Sequence, residues 1–149
     1  MRRAIDLSLL SVESGGGPFG ALIVRAGNVI AEGVNRVVPM ADPTAHAEIV
    51  AIRDACARLN THTLEGATIY ATCEPCPMCL GAIWWARIDM IVYGNNRHDA
   101  SVIGFDDATI YEEVAAPIER RRLPMRRVIP DEAKRAFDAW LLKADRTSY

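Results

Sequence analysis

What the sequence lacks narrows its possible roles. No apolar run approaches the roughly 20 residues that a membrane-spanning helix needs. The longest clean stretch, residues 80–86, is far too short. The opening stretch, "MRRAIDLSLLSVESGGG", has no continuous apolar segment and carries Asp6 and Glu13, so it reads as a helix and not as an export signal. The expected compartment is then the cytoplasm, where thiols stay reduced and cysteines serve metals or catalysis more than disulfides. Positive charge is not in excess either. The formal net charge is −2, which disfavours a protein built to hold a phosphate backbone. One basic cluster, Arg120, Arg121, Arg122, Arg126 and Arg127, reads as a solvated helix end and the strand after it. No repeat, linker or low-complexity tract divides the chain. Its 149 residues, 50% hydrophobic and 24% charged, suit one ordinary domain with a full core.

A further absence concerns cysteine. "CEPCPMC", residues 73–79, holds three of the four cysteines, and no second pair occurs elsewhere. A closed zinc site of four thiolates is therefore excluded. Something other than a second cysteine pair must complete the site, or a position stays open.

The elements can be read in order. Residues 2–13 place Ile5, Leu9 and Val12, with Leu7 and Leu10, at helical spacing. "GGGPFG" breaks that helix, and "ALIVRAGNVIAEGVN" reads as a hairpin around Gly27-Asn28. Asp42-Pro43 is a good helix start. The helix that follows turns Ile49, Ile52, Cys56 and Leu59 inward. "ATIYAT" reads as a buried strand, "PMCLGAIWWARI" as a helix and "MIVYG" as a strand. After a polar loop and "GFDDATIYEEV" come a short strand, "MRRVI", and a helix following Pro130-Asp131. This order implies an α/β/α layered domain of about five strands, the later ones parallel.

Cys76 and Cys79, three apart at a helix start, share one face and can grip one ion. The helix N-terminus favours their thiolate form. His46, near the tip of the other helix, is the third candidate ligand. Two helix tips would then present one histidine and two cysteines to a metal with an open fourth place, the arrangement of catalytic zinc. Glu48 is left as a proton carrier and not a ligand. Mid-helix, residues 46 and 48 would point apart, but a metal lying off the end can be approached from around the first turn. Cys73 could close the site as a fourth ligand, although its place before the helix favours a buried small residue. Redox pairing within "CEPCPMC" is the competing reading, weakened by the His-x-Glu partner.

"HAE" (46–48) followed by "CEPCPMC" resembles the zinc-dependent nucleobase and nucleoside deaminases, whose signature is H-x-E…P-C-x-x-C. "GGPFGA", "DPTAHAE", "CEPCPMCLGAI-W-AR", "GFDD-IY", "AFDAW" and the terminal tyrosine are together similar to the bacterial guanine deaminases of the cytidine/deoxycytidylate deaminase-like superfamily. The resemblance covers nearly everything from Gly16 to Tyr149. It implies a three-layer α/β/α sandwich around a mixed five-stranded sheet, spanning 1–149 as a single domain, with 131–149 as helix and active-site lid. It implies one zinc per chain on His46, Cys76 and Cys79, with Glu48 shuttling protons, and hydrolysis of guanine to xanthine and ammonia. Asp107 matches the carboxylate that accepts from the ring N–H and the amino group. Asp106 reads as the cap of the helix that follows. Asn35 matches a residue that hydrogen-bonds the ring, and Ala47 falls with the substrate-binding residues. Phe19 and Trp85 are candidates for packing on the purine, with core filling as the alternative. Tyr149 would supply an aromatic wall with a polar tip. The expected partners are a small nucleobase and a second copy of the chain, in a homodimer able to exchange C-terminal segments. Neither a membrane nor a nucleic acid is expected.

The tRNA adenosine deaminases share the zinc motifs but carry a different, basic stretch in place of "GFDD". Guanosine, ammeline or another amino-purine or amino-triazine remain alternative substrates. From another class, the chain could be a zinc-stabilised binding module. Glu48 argues against that, since a purely structural site gains nothing from it.

Overall fold

The first helix forms where the apolar spacing predicts it, but it turns a different face inward. In a computed structural model, which describes residues 1–148, α1 spans Arg2–Glu13. It buries Ala4, Leu7 and Ser11 and leaves Ile5, Leu9, Leu10 and Val12 exposed. The cause lies at the start of β1 (Gly20–Arg25). A Cβ on Gly20 would run into the Ala4 carbonyl and the Ser8 amide. The helix therefore lies on the sheet through its small residues.

β1 pairs antiparallel with β2 (Asn28–Val34). The turn between them is Ala26-Gly27, with φ of 51° and 78°, the two consecutive left-handed residues of a type I′ hairpin. It falls one residue earlier than the sequence suggested. A short helix, α2 (Val37–Met40), follows. α3 then runs Ala47–Leu59, starting several residues after Asp42-Pro43. Asp42 does not cap it. Its Oδ1 accepts from the Thr44 N–H at 2.8 Å and the Thr44 hydroxyl at 2.7 Å, a local turn that competes with helix. The buried face of α3 is Ala47, Glu48, Ile49, Ala51 and Ala55; Ile52 and Cys56 pack partly buried against the same core, and Leu59 is 38% exposed. The alanines take the closest approach to the sheet, and the larger residues pack beside them.

β3 (Ala67–Cys73), α4 (Pro77–Trp85) and β4 (Met90–Asn95) form a β-α-β unit with parallel strands. β3 pairs antiparallel with β1, so the sheet is mixed, in the order β2-β1-β3-β4. It has four strands and not five. Residues 125–129 form no strand among the described residues. Met125 and Ile129 would share one face of a strand, but Arg127 lies between them and Arg126 sits beside Val128 on the other, so neither face is continuously apolar. α5 (Arg97–Val102), closed by an Asn96–Asp99 capping box, and α6 (Ala108–Ala115) occupy the stretch after β4. A 3₁₀ turn at Ile118–Arg120 and α7 (Pro130–Leu142) complete the described elements.

These elements fall into two compact units, Met1–Thr109 and one beginning at Ile110. In the first, α1 covers one sheet face, packing Ala4 and Leu7 on Leu22 of β1, with Val24 and Tyr70 alongside. The other face packs Ala21, Ile23, Ile69 and Ala71 against Ala47, Ala51 and Ala55 of α3 and Ile83 of α4. That makes three layers in this unit. In the second, Glu113 accepts from the Arg122 and Leu123 amides at 2.9 and 3.3 Å, and Glu112 pairs with Arg122 at 3.1 Å. Part of the arginine cluster is thus tied back to α6. Among the described residues no helix is long and apolar enough to cross a membrane.

Candidate metal centre and active site

Two helices begin at the same place. His46 is the N-cap of α3 and Cys76 the N-cap of α4, both with extended backbone. Pro77 fixes the first turn of α4, which carries Cys79 at its third position. N-cap side chains stand off the helix tip, and this brings His46 and the cysteines together. The His46 Nδ1 atom lies 3.6 Å from the Cys76 sulfur and 3.5 Å from the Cys79 sulfur. The three ligand atoms all lie within 4.8 Å of one another.

The geometry and the charge both fit zinc. Bonds of about 2.0–2.1 Å to nitrogen and 2.3 Å to sulfur, in a tetrahedron, separate N and S by about 3.6 Å. Without an ion, Cys76 is drawn down to about 4, chiefly by the hydrogen bond from Cys79 and then by His46. The same bond, with burial, pushes Cys79 up, so the pair keeps one proton on Cys79. The bond to Cys76 also raises His46. A divalent cation would replace these protons on three convergent donors.

Glu48, at the second position of α3, is 8% exposed, and burial pushes its carboxyl up. It shares a hydrogen bond with Cys79 and so borders the ligand group without joining it. Cys73 does not join it either. Its thiol faces the Asn96 carbonyl at 3.6 Å, and burial holds it up at about 11, protonated at neutral pH. Among the described residues three protein ligands converge, which leaves a tetrahedral ion one place for water or substrate.

Asn35 is buried just after β2. Its Oδ1 accepts from the Gly17 N–H at 3.3 Å and the Val37 N–H at 3.2 Å, so the carboxamide oxygen is fixed and the Nδ2 donors face the other way. Asp107 is half-buried, and its carboxyl is raised by burial and by the charge of the nearby Cys76. Asp106 accepts from the Ala108 N–H at 2.9 Å, a local turn one residue ahead of the position that would cap α6. Ala47 is buried at the first position of α3. Phe19 packs against the core and meets Phe105 edge-on, with ring centroids 4.9 Å apart. The sequence reading passed over Phe105. An aromatic residue between a glycine and the acidic pair was the available signal.

Trp85 is not brought to this group. It ends α4, at the far end from the cysteines of its own chain, about 9 Å along the axis from Cys79 and about 14 Å from Cys76 at 1.5 Å per residue, and is 62% exposed. Tyr149 lies outside the described residues.

Comparison with known proteins places the site. Residues 1–95 match the cytidine and deoxycytidylate deaminase zinc-binding region. The chain is 47% identical to a guanine deaminase of Bacillus subtilis, across 100% of this chain and 96% of that protein. The X-ray structure of guanine deaminase from Bacillus subtilis superposes with a TM-score of 0.95 at 47% identity, covering 99% of this chain and 95% of that one. A tRNA-specific adenosine deaminase of Aquifex aeolicus is 42% identical, over 68% of this chain and 71% of that protein. The α/β architecture, the His-Cys-Cys group and the full-length similarity agree: the chain belongs to the zinc-binding cytidine and deoxycytidylate deaminase family.

Proposed function

We propose that the protein is a guanine deaminase, converting guanine and water to xanthine and ammonia. The observation that carries the substrate is the extent of the similarity. It runs the whole chain for the Bacillus subtilis guanine deaminase but about two thirds of it for the adenosine deaminase of tRNA.

His46 Nδ1, Cys76 Sγ and Cys79 Sγ would hold the zinc. When bound, it supplies the Lewis acidity that lets water act as a nucleophile near neutral pH. The remaining work belongs to side chains. The Glu48 carboxylate takes a proton from the attacking water and delivers it to N3 of guanine. It then carries the second proton to the amino group leaving carbon 2. Its burial next to Cys79 keeps that proton from exchanging with solvent. Asp107 accepts from the N1–H and the 2-amino group, a donor pair that adenine does not present. Asn35 offers its Nδ2 donors to the acceptors of the ring, and Phe19 packs on the purine.

The same reading includes a cytoplasmic enzyme of one deaminase domain, 1–149, acting as a homodimer. Segment 131–149 would serve as a lid that two copies can exchange. Trp84, Trp85, Met90 and Tyr93 on the α4–β4 side, and Phe137 and Leu142 of α7, are exposed apolar side chains that such an assembly would cover. Trp85 and Tyr149 would then meet the base as parts of the closed dimer.

Ammonia release from guanine, guanosine, adenine, cytosine and ammeline, measured in parallel, tests the proposal. Guanine should be turned over with the highest kcat/KM. A chain that releases ammonia faster from any of the others is not a guanine deaminase.

A further inference from the structure

Asn35 and Asp107 come from loops far apart in sequence, yet both must meet one small rigid base. Something has to fix their separation. The Asn35 loop is tied to residues 16–19 on several sides. Its amide donates to the Phe19 carbonyl at 3.1 Å, and its Oδ1 accepts from Gly17. The Ser11 hydroxyl, fully buried in α1, lies 2.6 Å from the Gly17 carbonyl and 3.1 Å from that of Asn35. The Asp107 loop leaves α5 through Gly104 at φ 94°, and the Phe105 N–H bonds back to the Ala100 carbonyl at 3.0 Å. Its ring then turns onto Phe19, perpendicular to it at 89°.

The junction is tight. A Cβ on Gly17 would stand 3.2 Å from the Phe19 ring, 3.4 Å from the Asn35 carboxamide carbon and 3.4 Å from the Phe105 ring. Phe19, Asn35 and Phe105 therefore converge on one glycine. Phe105 is also 45% exposed, more than a residue kept for core packing alone would be.

We infer that Phe105 is a positioning residue for base recognition: its edge contact with Phe19 over Gly17 sets the distance between the Asn35 amide and the Asp107 carboxylate. The inference rests on the guanine reading and deepens it, since nothing in the zinc motifs assigns this ring a role. An edge-to-face pair defines distance and angle, where an aliphatic contact would let the loop slide. A base held by a carboxylate on one side and an amide on the other senses any such slide. A displacement of about 1 Å at a positioning group can cost about a hundredfold in rate.

The test is steady-state kinetics on guanine with the zinc-loaded full chain. Phe105→Ala and Phe105→Leu should lower kcat/KM about ten- to hundredfold, with zinc content and thermal midpoint close to wild type. Phe105→Tyr, which keeps the ring, should stay within about threefold. Gly17→Ala, whose Cβ would press on both rings and on the Asn35 carboxamide, should lower kcat/KM in the same direction. The discriminating arm is the Asp107→Asn background, where Phe105→Ala should add less than about threefold, because the ring acts through Asp107. An equal loss in both backgrounds overturns the inference, as does a Phe105→Ala protein within threefold of wild type. A wild type inert toward guanine overturns the functional reading and this role together. An active wild type indifferent to Phe105 overturns this role alone.

Discussion

His46 and Cys76 stand 3.6 Å apart, nitrogen to sulfur, across thirty residues of sequence, because each caps the N-terminus of its own helix. The sheet aims both helix tips at one point. The positive ends of two helices then favour thiolate and, with the ion in place, an anionic substrate group or a polarised water. The same placement explains why Glu48 can serve the site from two residues beyond His46. At the first turn, neighbouring side chains still reach the space off the helix end.

The purified protein should contain about one zinc per chain. Cys76→Ala or Cys79→Ala should bring the metal content close to zero, read by elemental analysis. Zinc unchanged in both variants would show that the ligand group lies elsewhere. Chelation should also lower the thermal midpoint, since an ion bound only by the folded chain stabilises it by mass action.

Glu48→Gln should keep the metal and the fold while turnover falls by about 10²- to 10⁴-fold or more. The amide removes a buried carboxyl, so the variant should melt no lower than wild type. Kinetics within a few-fold of wild type would reduce Glu48 to a structural side chain.

Gly33→Ala tests how the sheet positions the site. A Cβ there would collide with the Ala47 carbonyl and stand 2.7 Å from the Ala51 amide. Backbone cannot rotate out of the way as a side chain can. The strand and α3 must separate, at a cost of about 1–3 kcal/mol or more. Because Ala47 lies between His46 and Glu48, activity should fall along with the denaturation midpoint. A variant as stable and active as wild type would mean that α3 is held by other contacts.

Arg3 and Glu32 give a pH-dependent test. The Arg3 Nε and Nη2 atoms each donate to a Glu32 carboxylate oxygen at 2.6 Å, joining α1 to β2. The hydrogen bond from Arg3 holds the Glu32 carboxyl below its ordinary value of 4.5. A depressed carboxyl contributes stability above its unfolded pKa and loses it as pH falls through the folded one. Arg3→Ala should therefore melt slightly below wild type at pH 7, and the gap should close below about pH 4.5. The gap is small because both partners reach solvent. A gap that widens in acid would contradict this.

Removing the last few residues, Tyr149 included, tests the lid. Turnover should fall strongly while zinc stays bound, and light scattering of the intact chain should give a dimer. Hybrids of Glu48→Gln subunits with tail-deleted subunits should regain activity if the tails cross between copies. Full activity in the truncated chain would leave the tail without a role in the site.

The sequence by itself determined the chemistry. "HAE" and "CEPCPMC" point to the candidate ligands and to Glu48 as the proposed proton carrier, because metal ligation depends on residue type and on spacing along a helix start, both local properties. The hairpin, α1, β3, α4 and β4 were legible for the same reason. Each rests on short-range periodicity and on glycine or proline breaks. What stayed hidden depends on which surfaces meet. The inward face of α1 is set by Gly20 of a strand, not by the apolar side chains of the helix itself. Asp42 looked like a cap and became a turn because its hydroxyl and amide partners on Thr44 were nearer. The expected fifth strand does not form: Arg127 interrupts the face that Met125 and Ile129 would share, and Arg126 accompanies Val128 on the other. Phe105 gained its place through Phe19 and Gly17, eighty-odd residues earlier in the chain. A ring-on-ring contact of that range leaves no periodic trace, because packing selects its partner only after the sheet has brought the two loops together.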